Sequence, residues 1–308
     1  LNIQHNVPIP TWFKVGGIAK QLARPTNVGE VRRCLELDPN MRILGDGANL
    51  LVDDDGIQEL VVSLADMNEQ RWNQSASTLT VGAGVNLPKL ITQTIRDGRG
   101  GLQVLGGIPA SIGGAIVMNA GGTYGQIADV IKRIFAIDRT GKAVTLERRE
   151  IDFSYRHSGL SHLIIIGAEL NLFKGDAPAL RNILKEVMAY KKNSQPMADN
   201  SAGCCFKNPT LEEEVPDIGA KGARISAGKL IDRAGCKGLR IRSASVSPVH
   251  CNFLTAHTGG KARDVIELME EVERRVFDKF GVKLVREVVV WSNRIEAAAK
   301  VPEQVAHV

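Results

Sequence analysis

The sequence has few aromatic residues and no long apolar run. Phe, Trp and Tyr make up 5% of its 308 residues. No stretch approaches the roughly 20 apolar residues that span a bilayer, and the longest apolar stretches, such as residues 163–168, have the length of a strand. No basic-then-apolar segment opens the chain, so we expect a cytoplasmic protein without a membrane partner. With 44% hydrophobic and 24% charged residues, the composition excludes a disordered or collagen-like chain.

The cysteines follow no pattern of a disulfide scaffold or a zinc site. There are five of them, one pair is adjacent, and there is no C-x-x-C spacing. We therefore expect no structural disulfide and no metal. Unbridged thiols favour a reducing compartment. Apart from Cys204, we expect the cysteines to be core residues, namely Cys34, Cys205, Cys236 and Cys251.

The positive charge of the chain is spread rather than concentrated. The formal net charge is +5, and the short basic clusters lie far apart, at residues 148–149, 191–192 and 240–242. This distribution favours an anionic small ligand, such as a nucleotide or a carboxylate, over nucleic acid.

Hydrophobic periodicity predicts short strands interrupted by a few helices. The predicted strands are 41–44, 59–64, 78–85, 133–138, 143–146, 162–173 and 285–291. The predicted helices are 28–37, 87–97, 177–192 and 262–280. Pro196 and Gly281 are expected to terminate the last two helices. The buried stripe of the third helix is predicted to be Leu180, Ile183, Leu184, Val187 and Met188.

Glycines cluster where predicted strands end. The segment 45–52 resembles a phosphate-binding turn, but the G-x-G-x-x-G pattern fails at Leu50 and no P-loop is present. Segment 106–125 contains seven glycines, and ordering it costs much entropy. Ser111 and the amides of Gly113 and Gly114 are predicted to cap a helix whose N-terminus faces a diphosphate. The alternative interpretation of segment 45–52 is an ordinary tight turn, and that of segment 106–125 is a flexible loop.

Short motifs recur in a fixed order along the chain, at segments 11–17, 45–52, 81–84, 101–125, 153–158, 201–209, 227–239, 246–253 and Glu287. Each motif is weak alone, but together they cover roughly residues 11–291. The ordered set resembles the UDP-N-acetylenolpyruvoylglucosamine reductase (UDP-N-acetylmuramate dehydrogenase) family, in its shorter form without a large insertion.

The resemblance implies an α+β protein with an FAD-binding fold of the vanillyl-alcohol-oxidase (PCMH) type. Residues 1–174 would form this domain, with subdomains of about 1–65 and 66–174. A C-terminal α+β substrate-binding domain would cover 175–292, and 293–308 would form a tail that is helical or disordered. The FAD contacts implied by the resemblance are Gly45, Asp46, Gly47, Ala48, Asn49, Leu50, Gly82, Gly106, Pro109, Ser111, Gly113, Gly114, Asn119, Gly121, Tyr124 and Gly125.

The resemblance also implies a reaction. NADPH would reduce FAD, and the reduced flavin would give hydride from N5 to UDP-N-acetylglucosamine enolpyruvate, forming the UDP-N-acetylmuramate used for peptidoglycan. The protein is expected to act as a monomer or weak oligomer. Another oxidoreductase on the same flavin fold and a non-catalytic nucleotide-sugar-binding module are the rival functions.

Three residues fit the catalytic roles that the resemblance implies. Arg156 would bind the substrate carboxylate as its charge rises, and the alternative is an ordinary surface arginine. Cys204 occupies the proton-donor position, where the family commonly has serine, and a thiol is a far stronger acid than an alcohol. Glu287 would be a second polar group beside the intermediate; the alternative is a solvent-facing residue paired with Arg286.

The substrate is expected to contact residues near these three. The candidates are Tyr155, Lys192, Lys207 and Asn208, with Lys192 at the diphosphate. Lys191 competes with Lys192 for that role, and the sequence does not separate them. His250, Ser247 and Asn252 are expected to shape the substrate domain.

Overall fold

A computed structural model describes residues 1–73 and 77–292, so the predicted tail lies outside the described residues. The α-helices are α1 (Val28–Leu37), α2 (Leu87–Arg96), α3 (Ile112–Val117), α4 (Ala177–Ser194), α5 (Ala227–Arg233) and α6 (Ala262–Phe280). Short 3-10 helices cover Gln103–Leu105, Ile127–Asp129 and Arg148–Glu150. Among the described residues, no helix combines the length and apolar character that crossing a bilayer requires.

The strands are short, as the sequence predicts. They are β1 (Ile3–Pro8), β2 (Ile18–Ala23), β3 (Arg42–Leu44), β4 (Leu50–Val52), β5 (Ile57–Ser63), β6 (Gln70–Asn73), β7 (Thr78–Gly82), β8 (Arg99–Gly100), β9 (Gly121–Gly122), β10 (Gly125–Gln126), β11 (Ile131–Ile137), β12 (Ala143–Glu147), β13 (Ile164–Asn171), β14 (Phe173–Lys174), β15 (Arg240–Ile241), β16 (Ala244–Val246), β17 (Leu254–Ala256) and β18 (Val289–Trp291). Strands β1, β2, β5 and β3 form a four-stranded sheet in that order.

The chain divides into two compact units. Within the described residues, the first comprises 1–5, 21–48 and 59–199, and the second comprises 6–20, 49–58 and 200–292. Helix α4 therefore belongs to the first unit, although the sequence places a boundary before it, near residue 175. The domain division at 175 stays a prediction.

The core of the first unit lies against an antiparallel sheet of five strands in the order β12-β11-β13-β7-β6. Helix α2 presents one apolar face to this core, and its buried residues Leu87, Leu90, Ile91 and Ile95 follow helical spacing. Helix α3 packs on β13 and β7. These contacts fix the glycine-rich segment around α3 to the sheet.

The second unit has its own core, built around α6. This helix buries Val265, Met269, Val272 and Val276 and packs on the three-stranded sheet β15-β16-β17. Strand β4 pairs in parallel with β18, so that Leu50 lies opposite Val289. The mixture of helices and antiparallel sheets in both units confirms the predicted α+β class.

The structure corrects two details of the predicted elements. Met188 is 40% exposed rather than part of the buried stripe of α4. The predicted strand 285–291 is reduced to β18, because its first residues form only an isolated bridge between Arg286 and Phe206. Some elements have no counterpart among the predicted ones, namely helix α5 and strands β1, β2, β4, β6, β8, β9, β10, β15, β16 and β17.

Candidate active site

Two of the predicted glycine loops meet in the first unit. A Cβ on Gly45 would lie 2.7 Å from Ser111 Oγ, so only glycine lets the end of β3 approach Ser111 this closely. Ser111 caps α3, because its hydroxyl accepts a hydrogen bond from Gly114 N at 3.4 Å. The predicted helix cap is therefore confirmed. Pro109 precedes it in the chain and is half-buried.

A carboxyl group lies beside this meeting point. Asp46 Oδ2 accepts a hydrogen bond from Asn86 Nδ2 at 3.1 Å. Asn86 caps α2 and forms an isolated bridge with Ser111. Burial raises the pKa of Asp46, against the opposing effect of the Asn86 hydrogen bond. Gly47 has a φ of 63°, in the left-handed region that glycine tolerates.

These residues fit a dinucleotide phosphate in one specific respect. The glycine backbones at 45 and 114 lie against one hydroxyl, that of Ser111. A diphosphate is bound by backbone N–H groups that no side chain shields, and Gly45 and Gly114 carry no side chain at this point. Gly106 has a different role, because a Cβ there would lie 2.5 Å from Leu184 Cδ1 of α4. Neighbouring protein atoms also crowd three other glycines among the predicted FAD contacts, at Gly82, Gly113 and Gly121.

Arg156 lies in a tight turn of the first unit. Ser154 and His157 exchange backbone hydrogen bonds of 3.0 and 3.2 Å across the turn. Arg156 has a φ of 54°, which is uncommon for a residue other than glycine. Its Nη1 donates to Gly121 O at 2.8 Å, and its guanidinium carbon lies 5.5 Å from the ring centre of Tyr155. The half-buried guanidinium is therefore held in one place, which an ordinary surface arginine is not.

Asn119 supports that turn from inside the protein. It is 1% exposed, and its Nδ2 donates to Ser154 O at 2.8 Å and to Gln126 Oε1 at 2.9 Å. Its Oδ1 accepts from Ala128 N at 3.4 Å. The sequence predicts Asn119 as an FAD contact, whereas these bonds tie the turn of Arg156 to the segment that contains β9 and β10.

The two candidate lysines at the end of α4 differ in their surroundings. Lys192 is exposed, whereas Lys191 is half-buried. Burial, with a smaller effect of the Arg156 charge, lowers the pKa of Lys191 to about 8. A Cβ on Gly107 would lie 3.0 Å from Lys191 Cδ, so the stem of Lys191 rests on the glycine-rich segment. The structure therefore brings Lys191, not Lys192, into the electrostatic environment of Arg156.

An exposed aromatic pair lies on the same unit. The rings of Tyr124 and Tyr190 are 5.8 Å apart in an edge-to-face arrangement. Tyr124 is in the turn between β9 and β10, with Gly125 next to it, and Tyr190 is on α4. The sequence predicts Tyr124 as a cofactor contact but gives no role to Tyr190.

In the second unit, residues 204–207 run between two other segments, with a bend at Cys205. Cys204 forms an isolated bridge with Phe253, and Phe206 forms one with Arg286. Glu287 N donates to Cys205 O at 2.7 Å. The backbone of Glu287 is thus bonded to the residue that follows Cys204.

The adjacent cysteines have different surroundings, as expected from the assignment of Cys205, but not Cys204, to the core. Cys204 is half-buried and Cys205 is buried. Burial raises the pKa of Cys205 to about 12. Cys34, Cys236 and Cys251 are also buried, which confirms their expected place in the core.

Asn252 holds the other edge of this segment and was not predicted to do so. Its Oδ1 accepts from Phe206 N at 2.9 Å, and its Nδ2 donates to Phe206 O at 2.8 Å. His250 Nδ1 in turn accepts from Asn252 N at 3.2 Å. The motif 246–253 therefore positions the segment that carries Cys204. The sequence showed an amide residue within a matching motif, but it did not identify the residue to which that amide bonds.

Lys207 and Asn208 continue the same segment, and both are half-buried. Lys207 N donates to Val285 O at 2.8 Å. Asn208 Oδ1 accepts from Ala227 N at 2.9 Å and so bonds the first turn of α5. The sequence predicts both residues as substrate contacts. The structure shows that both are also hydrogen-bonded within the protein.

Glu287 is held on both sides of its peptide backbone. Its carbonyl accepts a hydrogen bond from Asn49 Nδ2 at 2.9 Å, and its Oε2 is buried. Arg286, the partner in the alternative interpretation, instead gives two hydrogen bonds of 2.6 and 2.9 Å to Glu273. Asn49 and Leu50, predicted as FAD contacts, lie in the second unit with Glu287, whereas residues 45–48 lie in the first.

Comparisons with known proteins agree with these motifs. Residues 19–147 match the model of an FAD binding domain. Residues 195–291 match the model of the UDP-N-acetylenolpyruvoylglucosamine reductase C-terminal domain. Together they confirm the predicted fold, and the chain is an FAD-dependent oxidoreductase.

Full-length relatives lead to the same family. The UDP-N-acetylenolpyruvoylglucosamine reductase of Syntrophobacter fumaroxidans is 37% identical over 92% of this chain and 81% of its own length. That of Moorella thermoacetica is 34% identical over 95% of this chain and 94% of its own. The crystal structure of the enzyme from Thermus caldophilus matches with a TM-score of 0.76 and 34% identity, covering 92% of this chain and 96% of that one. This chain belongs to the UDP-N-acetylenolpyruvoylglucosamine reductase family.

Proposed function

We propose that the protein reduces UDP-N-acetylglucosamine enolpyruvate to UDP-N-acetylmuramate with NADPH as the electron source, in the cytoplasmic synthesis of peptidoglycan precursors. The observation that carries the proposal is the bonding of Glu287 to the segment of Cys204. Two of the three predicted catalytic residues thereby belong to one hydrogen-bonded structure. The spread of basic residues also suits an anionic nucleotide-sugar substrate.

FAD, when bound, would supply hydride chemistry by taking two electrons from NADPH and passing them to the enolpyruvyl double bond. Its diphosphate would be held by the glycine backbones and the hydroxyl that meet at Gly45, Ser111 and Gly114. Gly47, Ala48 and Asp46 would border it. The side chains of the protein would bind the charged groups of the substrate and supply the proton.

Asp46 gives the cofactor site a pH dependence. Burial raises the pKa of Asp46, so its negative charge develops at a higher pH than that of an ordinary aspartate. A negative charge beside a diphosphate is unfavourable. We expect the affinity of the apoprotein for FAD to fall between acidic and neutral pH. Asp46→Asn should bind FAD about tenfold more tightly at neutral pH, which corresponds to about 1.4 kcal/mol, with little pH dependence.

Quenching of flavin fluorescence on binding to the apoprotein measures this prediction. Asp97→Asn is the matched control. It removes the same charge from an exposed residue at the C-terminal end of α2, whereas Asn86, the partner of Asp46, caps the N-terminal end. An unchanged affinity in Asp46→Asn, or equal effects of both variants, would show that Asp46 does not face the diphosphate.

The proton chemistry belongs to the second unit. Addition of hydride to the outer carbon of the double bond leaves an electron pair on the inner carbon and its carboxylate. We assign the Cys204 thiol as the donor that protonates the inner carbon, so that hydride and proton together complete the saturated product. Glu287 lies beside the Cys204 segment as the second polar group. The half-buried state of Cys204 supports this role, since a donor needs access to substrate.

We assign the binding of the anionic groups of the substrate to residues of the first unit. We assign Arg156 to the carboxylate, because a planar guanidinium stabilises charge that rises during the reaction. Tyr155 stays beside it as a predicted contact. For the diphosphate, the half-burial of Lys191 near Arg156 supports Lys191 over Lys192. Lys207 and Asn208 remain predicted substrate contacts.

The two lysines provide a paired test. We expect Lys191→Ala to weaken substrate binding to the oxidised enzyme by about tenfold, the effect of losing about 1.4 kcal/mol, and Lys192→Ala to change it less than threefold. Because the pKa of Lys191 is about 8, its ammonium loses its charge as the pH rises through 8. Wild-type affinity for the anionic substrate should therefore decline above pH 8.

Substrate-induced change in the flavin spectrum measures this affinity as a function of pH. Lys191→Arg, which stays charged, should keep its affinity above pH 8. If instead Lys192→Ala shows the larger loss, the original assignment of Lys192 is restored.

An anaerobic stopped-flow experiment tests the function as a whole. NADPH should bleach the visible absorbance of the flavin, and UDP-N-acetylglucosamine enolpyruvate should then restore it in a single turnover. A bleached flavin that this substrate leaves reduced would indicate a different oxidoreductase. A protein that purifies without bound flavin and takes none up would indicate a non-catalytic binding module.

A further inference from the structure

We propose that Asn49 is a positioning residue for Glu287: its side-chain amide fixes the peptide backbone of Glu287 and so holds the carboxyl group where the reaction needs it. The inference rests on the proposed function, because it gives Glu287 a part in the chemistry. The sequence places Asn49 in a cofactor loop, so a role directed at Glu287 goes beyond what the glycine motif predicts.

The contacts of Asn49 enclose a short piece of backbone. Its Nδ2 donates to Glu287 O at 2.9 Å, and its own carbonyl accepts from Val289 N at 3.0 Å. The two bonds bracket Val288, which is 3% exposed. Rotation of the backbone at Glu287 would break the first bond and leave the partly buried carbonyl oxygen without its donor, which is costly. Asn49 therefore limits the orientations that Glu287 can adopt.

The strand pair that follows is anchored at its other end. Asp53 N donates to Trp291 O at 2.8 Å. The Asp53 carboxylate is 1% exposed and accepts from Ser292 Oγ at 2.6 Å and from Arg263 Nη2 at 2.5 and 2.6 Å. A buried charge held this way resists movement, since losing a partner would be costly. These bonds fix the register of β4 on β18. Because Asn49 directly precedes β4 and bonds the Glu287 carbonyl, this register also fixes the backbone position of Glu287.

The opposite side of Glu287 is bonded to the cysteine segment. Its N–H donates to Cys205 O at 2.7 Å, while its carbonyl accepts from Asn49. Both polar groups of this peptide residue are therefore used. Asn49 stands at one end of a short hydrogen-bonded chain that continues through Glu287 to the residue next to Cys204. Loss of the Asn49 amide would loosen Glu287 relative to the thiol.

The chemistry of the contact explains why an amide is needed. The group facing the Glu287 carbonyl must be a donor, and an asparagine NH₂ supplies one. Alanine would remove the donor. Aspartate would place a carboxylate oxygen against a carbonyl oxygen at neutral pH, which is repulsive as well as unsatisfied.

The test compares Asn49→Ala and Asn49→Asp with wild type, each as holoenzyme. We expect Asn49→Ala to slow flavin reoxidation by the enolpyruvyl substrate by about 10- to 100-fold, within the range that a misplaced catalytic group produces. Bleaching by NADPH and the affinity for FAD should change less than about threefold. Asn49→Asp should be slower than Asn49→Ala at neutral pH and approach it as the pH is lowered.

A double-mutant cycle with Glu287→Gln separates positioning from general damage. If Asn49 acts through the Glu287 carboxyl, adding Asn49→Ala to Glu287→Gln should cost less than about twofold more. Ser292→Ala is the structural control, because it removes one hydrogen bond from the far end of the same strand pair. It should lower the melting temperature while leaving reoxidation within about twofold of wild type.

Several outcomes overturn the inference. One is an additive effect in the double mutant, and another is a Ser292→Ala variant as slow as Asn49→Ala. A loss of FAD affinity with a normal reoxidation rate would make Asn49 a cofactor contact instead. Should Asn49→Ala not fold, Asn49→Ser, whose hydroxyl keeps a donor on a shorter side chain, is measured in the same cycle. A wild-type enzyme that the substrate does not reoxidise would refute the proposed function itself.

Discussion

Replacing Cys204 by alanine is expected to leave the bleaching of the flavin by NADPH unchanged and to slow its reoxidation by the enolpyruvyl substrate by about 10²–10⁴-fold. This is the usual contribution of a positioned proton donor. NADPH reduction needs no proton from Cys204, so the two half-reactions separate its role from a loss of fold or cofactor. Stopped-flow absorbance of the flavin measures both rates on the same sample.

Cys205→Ala is the matched control for that variant. Cys205 is buried, and burial raises its pKa to about 12, which makes it a poor donor near neutral pH. Its replacement should lower the melting temperature through lost packing and leave both half-reactions near normal. Cys204→Ser should recover part of the lost rate, because a hydroxyl still carries a transferable proton. A slow Cys205→Ala beside a normal Cys204→Ala would mean that the register of this segment is wrong.

The second large effect is expected at Arg156. Arg156→Lys should reduce reoxidation by about 10²–10³-fold, the range seen when one donor to a developing oxyanion is removed. The guanidinium already donates to Gly121 O at 2.8 Å, and a planar group with five N–H donors can serve that carbonyl and a carboxylate together. A lysine ammonium has a different reach and no planar fork.

This substitution keeps the positive charge, so it tests geometry rather than net attraction. Single-turnover reoxidation at saturating substrate gives the relevant rate, because weaker binding alone would be overcome there. Bleaching by NADPH serves as the internal control. A lysine variant that turns over at a near-normal rate would remove Arg156 from the reaction site.

Local signals predicted the helices well and the strands less well. Helices α1 and α6 have the predicted limits, and Gly281 ends α6 in the left-handed conformation that favours glycine. Met188 was predicted to be buried from its spacing alone, but spacing does not say how wide the covered face of α4 is. Strand 285–291 was overestimated because an apolar run does not identify its partners. Residues 289–291 pair with β4, whereas residues 285–287 bond to residues 205–207 through isolated contacts.

The candidate site divides in the same way. The cap at Ser111 was predictable, because a serine before glycines and apolar residues is a local pattern. The contacts of Asn119 and Asn252 were not, since each depends on a partner more than 30 residues away. The glycines show a further limit. Gly45 faces Ser111, whereas Gly106 faces Leu184. The sequence alone does not show which atom packs against a glycine.

To protonate the carbon left electron-rich by hydride addition, the Cys204 thiol must lie beside that carbon. A crystal structure of the holoenzyme with UDP-N-acetylglucosamine enolpyruvate would give the distance from Cys204 Sγ to the inner carbon of the double bond. We expect about 3.5 Å, the separation of atoms poised to react. A thiol turned away from the substrate, or another acid at that distance, would contradict it.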